Sequence, residues 1–194
     1  MMSILAGGAV ALAGRLYAGM DNKLAAAILF SFALYMVCLF SLDLFTGKIG
    51  FLTDRTRPVL WYGQIFLGNF IGAAGVSLLC LAADPGIQGI ASGMIDAKLD
   101  IPLWSLFARG MLCGFLMYIA VVSWKKTGSP LGIFLCIPMF ILSGFEHSIA
   151  DMSYMVMGLR FDFLGALLVI ALGNAAGSIL LHCLKNGIMK PTDR

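Results

Sequence analysis

Along the chain, long apolar runs alternate with short breaks that collect charge, proline and glycine. The runs predict spans near 2 to 20, 24 to 45, 58 to 83, 103 to 123, 131 to 158 and 162 to 184, each close to or above the roughly 20 residues that a helix needs to cross a bilayer. Two of the six are interrupted. The second carries "DLFTGK" at 43 to 48 and the fifth "GFEHSIAD" at 144 to 151, while the third and sixth carry "GNFIGA" at 68 to 73 and "GNAAGS" at 173 to 178. Each half therefore runs in the same order, a broken span and then a GN-x-x-G span, with 22 residues from Thr46 to Gly68 and 26 from His147 to Gly173. Halves of three spans must cross in opposite directions, and inverted repeats with matching broken helices mark transport proteins whose substrate site forms where the breaks meet. The expected fold is an all-α membrane protein: six transmembrane helices in two inverted three-helix repeats, about 1–83 and 103–184, forming one domain over 1–194 with the second and fifth helices broken.

Composition agrees. Apolar residues make up 60% of the 194 and charged residues 12%, with a mean hydropathy of +0.95, which leaves little chain for a soluble domain and favours transport or signalling over soluble catalysis. The opening segment lacks a basic stretch before its apolar part and reads as a retained span. The net charge of +3 is small and its basic residues are dispersed, which gives no sign of a nucleic-acid partner. With both termini cytoplasmic, Arg55, Arg57, Lys125, Lys126, Lys185, Lys190 and Arg194 lie inside, and Arg15, Lys23, Lys98 and Arg160 outside, as the positive-inside rule prefers. Lys48 and Arg109 fall at membrane depth.

Five Cys without a CxxC read as small core residues, and two His 35 residues apart offer no metal site. With no Ser–His–acid arrangement and no phosphate loop, the chain is expected to be neither an enzyme nor a cofactor carrier. The GxxxG pairs Gly68/Gly72, Gly110/Gly114 and Gly173/Gly177 let helix backbones approach. Backbone that leaves its helix inside a bilayer must face protein or a water-filled cavity, so both breaks point inward. His147 at such a break can donate a proton or a hydrogen bond to a passing weak-acid anion, or can be a core histidine bonded to nearby backbone. Thr46, in the opposite break, can bond His147 or the permeant species, or cap a half-helix. Glu146 and Asp151 are expected to cap free amides or to pair with Arg109 or Lys48. Lys98 either attracts anions or is a solvated loop lysine.

The set "ILAGGAVALAG", "FSFALYMVCLFSLDLFTG", "YGQIFLGNFIGA", "ARGMLCG", "GFEHSIADM" and "LGNAAGS", in this order along nearly the whole chain, resembles the formate/nitrite transporter family. The resemblance implies an aquaporin-like protomer in a homopentamer, each protomer with its own pore for small monovalent anions such as formate, nitrite or hydrosulfide, usually coupled to protons. His147 would be the central pore histidine and Thr46 its partner. Phe140 and Leu34 would form the inner constriction, and Leu44, Phe45 and Met117 the outer one, with Phe30 close to the path. Lys98 and Asn174 would bias the path toward anions, with Asn69 the repeat mate of Asn174. Asp151 and Gly114 stand where the family commonly has Asn. The expected function is a proton-linked channel or transporter for such an anion in the inner membrane, the alternative being an aquaporin-like channel for a small neutral solute.

Overall fold

The computed structural model describes residues 1–188; Lys190 and Arg194, assigned above to the inner side, lie outside the described residues. The described elements are all helical: α1 (Met2–Gly19), α2 (Lys23–Leu39), α3 (Phe45–Lys48) continued by a 3-10 stretch (Ile49–Asp54), α4 (Val59–Ala83), α5 (Ile87–Leu99), α6 (Leu103–Thr127), α7 (Leu131–Leu142), α8 (Ser148–Met157), a 3-10 turn (Phe161–Phe163) and α9 (Leu164–Ile188). Local chemistry sets several ends. The Asn22 side chain accepts the Ala25 N–H at the start of α2, Pro58 and Pro102 precede α4 and α6, and α6 stops at Gly128 in the left-handed region, φ 67°.

Helices α1, α4, α6 and the stretch Phe161–Gly187 are long and apolar enough to cross a membrane, while α2 and α7 are shorter apolar helices. At 1.5 Å per residue the 12 residues of α7 reach about 18 Å, well short of a hydrocarbon core of about 30 Å. The 10 residues of α8 supply about 15 Å more, so the two pieces together match one crossing. Burial is inverted relative to a water-soluble protein. Leu12, Leu60, Leu79 and Leu172 are exposed, whereas Ser31, Thr46, Asn69, Glu146, His147, Asp151 and Asn174 are buried. Such a surface suits lipid. All ten residues of α8 are buried.

Two helix pairs approach at backbone distance, α1 with α4 and α6 with α9. A methyl group at Gly72 would sit 1.8 Å from the Ile4 carbonyl oxygen, and one at Gly177 2.0 Å from that of Met111, so the GxxxG pairs do serve close packing. The 3-10 stretch is tied down by His182 of α9, which bonds Asp54 at 2.7 Å and the Tyr118 hydroxyl at 2.9 Å.

Residues 84–102, which gave no span signal, contain a further helix. In α5, Ile87, Ala91 and Ile95 recur every fourth position and are all buried, although Gln88, Gly89, Ser92, Gly93 and Asp96 between them dilute the apolar signal. Lys98 is therefore held on a packed helix and is not a loop lysine.

Gly72→Ala is expected to lower the stability of the detergent-solubilised protein by about 1–3 kcal/mol. Gly75→Ala, on the same helix with nothing within 4 Å of the added methyl, should change it by less than about 0.5 kcal/mol. Thermal melting compares the two.

Candidate functional site

Both interrupted helices stop in the same way. Ser41 ends α2 at φ 53° and Gly144 ends α7 at φ 69°. The Ser41 N–H donates to Cys38 O (3.2 Å) and that of Leu42 to Val37 O (2.8 Å); Gly144 donates to Ile141 O (3.1 Å) and Phe145 to Phe140 O (3.0 Å). A left-handed residue with these two bonds is a Schellman stop, which turns the chain off the helix axis. Leu44 and His147 are then extended, and new helices begin at Phe45 and Ser148. These stops align Ser41 with Gly144 and Leu44 with His147. Thr46, used above as the landmark matching His147, falls two positions past that match.

Two buried asparagines satisfy the backbone freed at the breaks. Asn69 Oδ1 accepts the Phe45 N–H at 2.8 Å, and its Nδ2 donates to Asp43 O at 2.9 Å and Ser3 O at 2.7 Å. Asn174 Oδ1 accepts the Ser148 N–H at 2.9 Å, and its Nδ2 donates to Glu146 O at 2.8 Å and Gly110 O at 2.9 Å. Each amide thus bonds the first residue of the new helix, the carbonyl two residues before it and a carbonyl of the helix behind. Asn69 and Asn174 are fully buried, where each polar group left unpaired costs about 1–3 kcal/mol.

The breaks meet at His147. Its Nδ1 accepts the Ala150 N–H at 3.2 Å, capping α8, and its Nε2 lies 2.9 Å from Thr46 Oγ1. With Nδ1 used as an acceptor, the neutral ring carries its proton on Nε2 and donates to Thr46. The ring stacks on Phe140 with centroids 5.7 Å apart and planes at 23°, and Phe140 meets Phe30 edge-on at 6.4 Å.

Two cavities border these breaks. One, of about 150 Å³, is lined by Phe30, Phe140, His147, Lys98, Glu146 and Asp151 among others. The other, of about 140 Å³, is lined by Leu44, Gly47, Lys48, Trp124 and Lys125 among others. Either holds a small anion or a few waters. His147 lines the first, and Gly47, next to Thr46, lines the second. Phe140 lines the same cavity as Lys98, and Leu44 the same cavity as Lys125. Leu34, Phe45 and Met117 are buried and line neither cavity; Phe45 packs edge-on against Phe66 at 5.0 Å.

The charges pair differently from the expectation. Lys98 contacts Glu146 and lies 3.0 Å from Asp151, whereas Lys48 pairs with Asp43 at 3.3 Å. Arg109 forms no ion pair among the described residues, and its carbonyl accepts the Glu146 N–H at 3.4 Å. Glu146 and Asp151 select Lys98 because α5 packs on α8, a helix and a contact that the apolar pattern did not reveal.

Apolar outer faces, long apolar helices and buried polar breaks define a multi-pass membrane protein. The formate/nitrite transporter family model matches residues 1–186, and the chain belongs to that family. The nitrite transporter NirC of Salmonella typhimurium is 31% identical over 139 residues, covering 64% of this chain and 52% of NirC, so the match spans about half of that relative. A solved FNT-family ion channel superposes with a TM-score of 0.83 at 27% identity, covering 98% of this chain and 88% of that one. A pentameric formate channel with formate bound has the same fold, with a TM-score of 0.82 at 22% identity and coverage of 97% and 94%. These relatives are transporters and channels, not enzymes.

Asn174→Leu removes the partner of one N–H and two carbonyls and is expected to destabilise the protein by about 3 kcal/mol or more. Hydrogen exchange should show the loss first at the Ser148 amide.

Proposed function

We propose that the chain conducts a small monovalent weak-acid anion of the formate, nitrite or hydrosulfide class across the inner membrane, linked to protons through His147. The observation that carries this reading is the hydrogen bond between His147 and Thr46, at the meeting point of the breaks that the two cavities border. The Nε2–H and the Thr46 hydroxyl are the polar groups that meet a solute there. Phe30, Leu34 and Phe140 on one side, and Leu44, Phe45 and Met117 on the other, form the apolar constrictions. A bare anion loses its hydration in such a passage at a cost of several kcal/mol, so the species crosses as the neutral acid once a proton is supplied beside His147. Asn69 and Asn174 hold the two breaks open toward the path, and Lys98 biases its cavity by charge.

The matching stops and asparagine bonds support two inverted repeats, about 1–83 and 103–184, in one six-span, aquaporin-like domain. In that architecture α2 with α3 and α7 with α8 are the two composite crossings. The pentameric formate channel of the same fold supports a homopentamer, and the basic residues at the Lys125 end support cytoplasmic termini. One observation favours a second reading, a channel for a neutral solute: Lys98 is already paired with two carboxyl groups, which cancels its pull on anions. Osmotic swelling insensitive to pH, without anion flux, would mark that case.

The test is a liposome flux panel of formate, nitrite, hydrosulfide, lactate and acetate at several pH values. His147→Ala is expected to cut uptake roughly ten- to hundredfold, as befits a lost hydrogen bond to a charged solute worth about 1.5–3 kcal/mol. Uptake in that variant equal to that of the wild type at both acidic and neutral pH would defeat the role of the histidine.

A further inference from the structure

Lys98 faces two acids. Its side chain is 15% exposed, that of Glu146 6% and that of Asp151 2%, so all three groups sit in the wall of the cavity beside His147. One ammonium against two carboxylates leaves the cluster with a net negative charge when every group is ionised. Asp151 Oδ2 is buried and takes no hydrogen bond among the described residues, and the Asp151 and Glu146 carboxyls converge on the same Lys98 ammonium. Two carboxylates brought to one ammonium can only accept, so they repel each other. One proton placed between them turns that repulsion into a hydrogen bond and brings the cluster to neutrality.

The titratable and charged groups around Asp151 are Lys98 of α5, Glu146 and His147 of the break, Tyr17 of α1, Tyr154 of α8 and Cys113 of α6. Arg109 of α6 approaches the break at Gly144. Helices α4 and α9 meet α8 through Ser77 and Asn174, which do not titrate. Lys98 is therefore the cation paired with both acids.

We propose that Glu146 and Asp151 hold one proton between them, and that this proton makes Asp151 a specificity-determining residue: with it the cavity wall is neutral and admits an anion, without it the wall is negative and excludes one. The inference rests on the reading of this cavity as an anion vestibule and adds a second acid site to it, apart from His147. Anion entry is highest below the pH at which the pair releases its proton and falls as pH rises through that point.

Infrared spectra of the wild-type protein in detergent test the proton without any flux. A protonated-carboxyl stretch is expected at neutral pH, lost in Asp151→Asn and in Glu146→Gln, and lost from the wild type as pH is raised. Carboxylate bands alone in the wild type overturn the proposal, whether or not the variants fold. In liposomes, Asp151→Asn keeps one carboxylate against Lys98, so its formate influx at alkaline pH should exceed that of the wild type roughly tenfold, the low end of what charge focusing in a cleft produces. A wild-type pH profile in that variant also overturns the proposal. Wild-type liposomes with no anion flux would instead sink the anion-channel reading, and the infrared band would decide the shared proton by itself.

Discussion

A peptide that leaves its helix inside hydrocarbon finds no water for its N–H and C=O groups, and this constraint governs the whole molecule. Asn69 and Asn174 meet it, each with one acceptor and two donors placed on three backbone groups. To reach them, the asparagine helices must lie almost against their neighbours. Gly7 and Gly114 make that possible, since a methyl group at either would sit 2.0 Å from Asn69 O or 2.3 Å from Asn174 O. Glycine packing and asparagine bonding are thus one device, used at both breaks.

The breaks in turn place chemistry that a continuous helix would bury in its own ladder. His147 caps α8 with one nitrogen and faces Thr46 of the other break with the second. Because the cap uses Nδ1 as an acceptor, the neutral ring keeps its Nε2–H for Thr46. The polar cluster is enclosed by aromatic rings, and the outer faces are left apolar.

Much of this was legible in the residues. Gly144, the polar run "FEHS" and "DLFTG" located the breaks within a few positions, and the paired GN-x-x-G segments pointed to Asn69 and Asn174. Ser41 gave no warning, because a serine in the left-handed region is set by the stop around it and not by its own preference. Helix α5 was hidden by glycines and polar residues between Ile87, Ala91 and Ile95. With it went the partner of Lys98, a contact 48 residues away in sequence that no local spacing encodes. The offset between Thr46 and His147 was missed for a related reason: the Schellman stops fix the register, and the run of residue types does not.

The central claim, a conduit past His147 that carries an anion together with a proton, is tested most directly by following formate uptake and internal pH at once in liposomes without an imposed voltage, against protein-free liposomes as the baseline. The account predicts that formate and protons enter in equal amounts through the protein. Formate entry with no matching acidification would contradict it.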